Sequence, residues 1–385
     1  MPLVEIRKVT TKRELKTFIQ FHYDLYKGNA YDAPNLFTDE MHTLRKDKNA
    51  AFEFCEAEYF LAYRDGKVVG RIAAIINHRA NDRWQRKSVR FGWVDFIDDT
   101  DVSRALFDAA GQWGREKGMT EIVGPLGFTD MDPEGMLIEG FDQLGTMATI
   151  YNYPYYPQHI EQMGGWEKDN DYVEYKLLVP PNGQLPEKYK KVAELVMKRY
   201  NLHPIHPKRS QVFGKEQYGR KVLDVVNKSF SNLYGYSQMT ERQIDEYLEM
   251  YFPMLDMDMI CLIEDWNTPD HDVIAIGISI TSMTRALQKC RNGRLFPFGW
   301  WHCLRALKFH KADCLDLMLV GVLPEYQQKG VNALLFYDLI PWYQKFGFKW
   351  GETNVEMETN DKVQSQWQYL ERKLHKRRRC FKKSL

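Results

Sequence analysis

The stretch Leu315 to Asp338, LDLMLVGVLPEYQQKGVNALLFYD, constrains the fold more than any other part of the chain. Leu315, Leu317, Met318, Leu319, Val320, Val322 and Leu323 make an apolar run with the length and composition of a strand buried on both faces. Pro324 ends that run, because proline offers no amide to a sheet ladder. A polar segment from Glu325 to Lys329 closes on Gly330, and Val331, Leu334, Leu335 and Leu339 then recur at helical spacing. A strand, a short loop and a helix in that order aim several unpaired backbone N–H groups at one point. The helix N-terminus adds partial positive charge there, so the point suits a phosphate. An ordinary strand–turn–helix unit with a surface loop has the same outline.

At 385 residues the chain exceeds what one core of typical size supports, so two domains are expected. Hydrophobic residues at 44% and charged residues at 27% describe a globular chain, and a net charge of +1 gives no reason to expect nucleic acid. The opening MPLVEIRKVTTKRELK lacks an apolar leader core, and the longest apolar run, Val273 to Ile280, is too short to span a bilayer. A cytoplasmic protein is expected. Cys55, Cys261, Cys290, Cys303, Cys314 and Cys380 are scattered without CxxC spacing, which fits free thiols and gives no zinc or other metal site.

Along the first half, Val4 to Val9 alternates like an edge strand, and Thr10 or Thr11 can cap a helix carrying Leu15, Phe18, Ile19 and Leu25. Asp65-Gly66 joins the runs Glu58–Tyr63 and Val68–Asn77 as a hairpin. A strand over Val89–Ile97 leads through Asp98, Asp99 and Asp101 into a helix that stops at Gly118, followed by a strand over Glu121–Phe128. The Tyr151–Pro157 cluster, a short helix and a strand over Tyr172–Val179 close the unit.

Pro180, Pro181, Gly183 and Pro186 mark a linker. Beyond it lie a helix over 187–200, a strand near His203, helices near 215–231 and 240–253, and a second hairpin over Met259–Met283. The opening strand and loop come next, then a helix ending at Gly347, a strand over 350–358, a helix from Asn360 to Leu374 and a basic tail. The element order repeats that of the first half.

Val322, Pro324, Gln327 and Gly330 resemble the acyl-CoA signature V-x-P-x-x-[R/Q]-x-x-G-x-[G/A] of the GNAT superfamily of N-acyltransferases, with Asn332 where Gly or Ala is usual. The resemblance covers nearly the whole chain. It implies an α/β (mixed α+β) fold of two tandem GNAT-like domains, each a mixed, mostly antiparallel sheet flanked by helices. The expected division is 1–179 as a degenerate N-terminal domain, 180–186 as linker and 187–385 as the domain with the acyl-CoA site. The first joint reads IDDTDV, and carboxylates there would satisfy the helix donors and repel a pyrophosphate.

The resemblance further implies acetyl-CoA or a longer acyl-CoA as co-substrate. Backbone groups near Leu317, Val320 and Val322 would bind pantetheine. Amides from Gln327 through Gln328, Lys329, Gly330, Val331 and Asn332 to Ala333 would hold the pyrophosphate, and Asn360 matches the family's Asn in the last helix. Acyl transfer by direct attack of an amine needs an oxyanion donor, a base and, for the thiolate, an acid. Asp316, a carboxylate in an apolar run, is the base candidate, with Glu356 and Glu358 behind it. The family's acidic Tyr is replaced by Trp367. Tyr369 lies close by, Tyr151, Tyr153, Tyr155 and Tyr156 form another set, and the thiolate could leave unaided. A non-catalytic acyl-CoA-binding protein is the alternative.

One departure is an insertion, 284–311, with seven Lys/Arg and no acid, interleaved with Phe296, Phe298, Trp300, Trp301 and Phe309. It reads as a lid with its rings on the core, as a peripheral membrane contact at the inner face, or as a clamp for single strands. The chain is similar to bacterial N-acyltransferases associated with lipid amines, including sphingoid bases. A small-molecule or lipid amine, bound in a cleft between domains, is the acceptor this implies. The tail from Arg372 to Arg379 is either a lipid-facing basic stretch or a charged final strand.

Overall fold

The computed structural model describes residues 3–385 and, of Lys362, the backbone only. Met1 and Pro2 of the stretch read for a leader lie outside the described residues. Strand β1 (Glu5–Lys8) precedes α1 (Lys12–Leu25), whose N-cap Thr11 and Glu14 form a reciprocal capping box. After α2 (Phe37–Thr43) come β2 (Cys55–Arg64) and β3 (Lys67–Asn77). Asp65 at φ +50° and Gly66 at φ +74° make the two-residue turn between them, which matches the twist of the strands. The chain continues through α3 (His78–Trp84), β4 (Ser88–Phe96), α4 (Thr100–Glu116), β5 (Glu121–Gly124), β6 (Met136–Glu139), α5 (Tyr155–Met163) and β7 (Glu167–Leu178). Strand β5 stops short of the expected Phe128 because Pro125 has no N–H to continue the ladder.

The second stretch begins with α6 (Glu187–Tyr200), β8 (Leu202–Ile205), α7 (Arg209–Val212), α8 (Tyr218–Ser229) and α9 (Glu241–Tyr251). The hairpin β9 (Ile260–Asp265) and β10 (Asp272–Thr281) comes after them, with α10 (Thr284–Leu287) and α11 (Gly299–Phe309) in the insertion. Next come β11 (Cys314–Val322), α12 (Val331–Phe346), β12 (Trp350–Thr353), β13 (Glu356–Met357), α13 (Asp361–Gln364) and β14 (Arg372–Ser384).

The expected helix from Asn360 to Leu374 is therefore one turn followed by a 3-10 turn at Ser365–Trp367, and the basic tail is a strand. Two things override helical spacing here. Trp367 is buried against Phe336, which fixes the turn, and the chain beyond it pairs antiparallel with β5 and β6. Two cations of β14 are met by acids: Arg379 binds Asp171 through two bonds of 2.8 and 2.9 Å, and Lys382 lies 3.4 Å from Asp169.

Two compact units result. The first holds residues 1–173, 284–302 and 375–385; the second holds 174–283 and 303–374. In the first, strands run in the order β1-β2-β3-β4-β5-β14-β7, and its cores lie under α4 and α1. In the second, the order from β8 is β8-β9-β10-β11-β12, and Gly351 of β12 pairs with Leu177 in the last residues of β7, which belong to this unit. Its core gathers around α12 and α6. The strand pairing of each unit is mixed. Each has antiparallel neighbours and a parallel pair joined by a helix, β4–α4–β5 and β11–α12–β12.

Candidate functional site

In the second unit the parallel pair β11/β12 runs from Cys314↔Trp350 to Leu317↔Thr353, where β12 ends. On the other side the register with β10 slips at Met318, between Leu317↔Ser279 and Leu319↔Ile278. Met318, Leu319 and Val320 are half-buried while the strand on either side of them is buried. A bulge next to a strand that has lost its neighbour leaves backbone available to a ligand. Asn354 Nδ2 reaches the Met318 carbonyl at 3.4 Å.

The joint after β11 is built in three steps. A 3-10 turn at Pro324–Tyr326 folds back on Leu323, whose carbonyl accepts from the Tyr326 amide at 2.9 Å and the Gln327 amide at 3.2 Å. Gln327 Nε2 also ties the loop to the Val322 carbonyl at 3.2 Å. The chain then takes left-handed backbone at Gln328 (φ +68°) and Gly330 (φ +83°), and Gly330 is the N-cap of α12. Glycine is required twice over there. Its φ disfavours a side chain, and a Cβ would stand 2.8 Å from Val192 Cγ1 on α6.

A glycine cap supplies no side chain to the helix donors. The amides of Lys329 and Ala333 donate to the Tyr326 and Gly330 carbonyls, so they and Gln327 are engaged. Among the described residues no acceptor stands against the amides of Gln328, Gly330, Val331 and Asn332. The Asn332 Oδ1 is buried and also without a partner. Open amides at a helix N-terminus, entered through left-handed backbone, are donors of the kind that suit an anion.

Lys329 lies over the Tyr326 ring at 4.4 Å and the Tyr200 ring at 5.5 Å. Tyr326 donates to Asp265 at 2.6 Å. Burial favours a proton on Asp265, but the bonds from Tyr326 and Asn267 outweigh it and hold the carboxyl below its usual range.

Asp316 is buried on β11, paired across the parallel ladder with the buried Glu352. The six steps from Asp316 to Val322 span roughly 20 Å of strand. Glu356 is buried and accepts from the Trp367 indole N–H at 2.6 Å. Desolvation pushes its carboxyl up to about 8, further than the Trp367 bond can pull it down. It therefore carries a proton at neutral pH.

Tyr369 stacks edge-on against Tyr189 at 5.5 Å with the Lys188 ammonium 4.3 Å from its ring, a packing position under α6. Asn360 caps α13, accepting from the Val363 amide at 3.3 Å. The four first-half tyrosines pack inside the first unit. Tyr155 donates to the Phe96 carbonyl at 2.6 Å, Tyr153 to Leu25, Tyr151 to Phe141, and Tyr156 to Asp95.

The first unit closes the corresponding joint. Asp99 Oδ1 accepts from the amides of Asp101 at 3.0 Å and Val102 at 3.3 Å, and Arg64 binds the same carboxylate. Its diverging strands instead enclose a cavity of about 90 Å³ beside Trp93, which holds φ +43° at a register slip in β4. Here lies a charge cluster that the sequence alone did not single out. His22 faces Asp95 at 3.1 Å and Asp32 at 3.3 Å, and Arg71 reaches Asp95 at 2.7 Å. Burial opposes the charge on His22, yet Asp32 and Asp95 overcome it and push the imidazole up to about 10. Glu40 accepts from Trp93 Nε1 and Asn35 Nδ2, each at 2.8 Å. Three carboxylates against two cations leave the cavity net negative, a setting for a small cation or ammonium group. The available signal was Arg71 and Asp95, single charges inside apolar strand runs.

No family model matches the chain. Its fold is that of the GNAT acetyltransferases. It superposes with a TM-score of 0.55 on a tandem GNAT protein from the clavulanic acid biosynthesis pathway, 12% identical over 99% of this chain and 98% of that one. A GCN5-related N-acetyltransferase from Sphaerobacter thermophilus gives a TM-score of 0.51 at 10% identity, covering 99% and 95%. In sequence the chain is similar to protein YghO of Escherichia coli (strain K12), 29% identical over 87% of this chain and 83% of that one. It is also similar to the bacterial ceramide synthase of Caulobacter vibrioides, 27% identical over 85% and 82%.

Proposed function

We propose that the protein is an acyl-CoA-dependent N-acyltransferase acting on a primary amine of the lipid or sphingoid type. The observation that carries this is the glycine-capped joint of the second unit, with four amides open to a pyrophosphate. The GNAT fold supports acyl transfer to nitrogen, and the name of the 27% identical ceramide synthase supports a lipid amine.

In this reading the pantetheine arm lies along β11 past the Met318 bulge, where backbone donors polarise the thioester carbonyl. The neutral amine attacks that carbon; the C–N bond forms, the C–S bond breaks, and CoA leaves as the thiolate. Asp316 takes the amine's proton. Glu356, protonated at neutral pH, returns one to the thiolate.

A second reading, acyl-CoA binding without turnover, draws on Trp367 occupying the position of the family's acidic Tyr. Titration with CoA in a calorimeter, for the natural protein and Gln328→Glu, tests the site. A carboxylate at this exposed position should weaken uptake at least about tenfold by repelling the pyrophosphate. No uptake, or equal uptake by both proteins, overturns the assignment. Thiol release from long-chain acyl-CoA over an amine panel then separates the readings: binding without release for every amine sinks the transferase.

A further inference from the structure

The insertion is anchored at its root and bare at its tip. Thr284 Oγ1 donates to the Gly145 carbonyl at 2.7 Å, and Gln288 Nε2 donates to the carbonyls of Ala30 at 3.1 Å and Asp32 at 2.7 Å. Cys290 is buried, and Gly293 packs so closely on Tyr23 that a Cβ would stand 2.4 Å from its hydroxyl. The root is therefore held in place, and the residues after it are presented to solvent. Phe296 is 78% exposed and Phe298 75%, with Trp300 and Trp301 at 44% and Phe309 at 57%. The rings do not cover the core, as a lid would require.

Helix α11 sorts its side chains by face. Cys303 and Ala306 are buried, while Trp301, Arg305, Lys308 and Phe309, at i, i+4, i+7 and i+8, share an exposed face. Arg291 and Lys289 are exposed before it. Arg285 binds a carbonyl and Gln288, and Arg294 lies 4.7 Å from the Phe37 ring; among the described residues no carboxylate pairs with any of the seven cations. Water alone rewards neither half of this surface. Exposed rings cost free energy, and seven cations without one acid repel each other. An interface of anionic phospholipid satisfies both, seating Phe and Trp at headgroup depth with Lys and Arg against phosphate.

We infer that the tip 296–301 and the exposed face of α11 dock this protein on the surface of an anionic phospholipid bilayer. The inference goes beyond the acyltransferase reading and does not depend on it, because adsorption needs neither CoA nor turnover.

Co-sedimentation of the full chain with phosphatidylglycerol-rich and with pure phosphatidylcholine vesicles tests it. Binding to the anionic vesicles at low salt, weakening as salt rises, is expected. Phe296→Ser/Phe298→Ser/Trp301→Ser and, separately, Arg291→Glu/Arg305→Glu/Lys308→Glu should each lower that binding about tenfold or more. All six side chains are exposed, so an unchanged thermal midpoint shows that each variant folds. Three results overturn the inference: no adsorption to anionic vesicles, adsorption unchanged in both variants, or retention on single-stranded RNA with none on vesicles.

Discussion

The two strand-to-helix joints show how one architecture either exposes or consumes its anion-binding capacity. After β4 the loop is short, and the cap is Asp99, whose carboxylate takes the donors of Asp101 and Val102. After β11 the loop is longer, turns through left-handed backbone, and the cap is glycine. The helices behind the loops are alike, α4 with 17 residues and α12 with 16, so the difference lies in the cap. A carboxylate at that position neutralises the dipole; an empty one leaves it for a ligand. The diverging strands differ in parallel. Those of the first unit enclose a charge cluster, and those of the second expose half-buried apolar backbone.

The largest test of this contrast is Asp95→Asn. Asp95 is the shared partner of His22 and Arg71 and accepts from Tyr156, so the change leaves the buried Arg71 without a carboxylate and His22 with Asp32 alone. Breaking such a pair costs roughly 3–5 kcal/mol, and urea unfolding should report a loss of that order. A loss under about 1 kcal/mol would mean the cluster is a solvated surface feature rather than the filling of the cavity.

Glu356→Gln sharpens the second unit. Glu356 holds its proton up to about 8 against a usual 4.5, so the folded state binds a proton that the unfolded chain has released. Between those values stability falls as pH rises, by about 1.4 kcal/mol for each tenfold drop in proton concentration. The amide stays neutral and still accepts from Trp367. The variant should match the natural protein near pH 4.5 and exceed it by on the order of 5 kcal/mol above pH 8. Melting curves that remain parallel across the range would show that Glu356 ionises freely. In activity the same variant should lose turnover while CoA binding persists.

What the sequence made legible is what local chemistry decides. Thr11 with Glu14, Asp65-Gly66, the extent of α6 and the Pro324-to-Gly330 joint each arise from residues a few positions apart. Long-range pairing was not legible. Strand β14 looks like a polar tail because its burial comes from β5 and β6, more than two hundred residues earlier, with Lys376 and Arg378 each only 1% exposed. His22 and Asp95 stand 73 positions apart, and only folding reveals that they meet. Tyr369 meets the same limit: it lies close to Trp367 in sequence, and only folding shows its ring against Tyr189 and Lys188.

The joints themselves are separated by a reciprocal pair of changes. Gln328→Glu should weaken CoA binding at least about tenfold and leave the thermal midpoint unmoved, because the side chain is exposed and only charge is added. Asp99→Ala should do the reverse. It removes a cap and the partner of Arg64, costing about 1 kcal/mol of stability, while CoA uptake stays as it was. Freed amides alone do not make the first joint a second site, since Asp98 and Asp101 still flank it and would repel a pyrophosphate. Should Asp99→Ala instead gain a second equivalent of CoA by calorimetry, the cap residue alone would account for the difference between the units. The carboxylates beside it would then count for little.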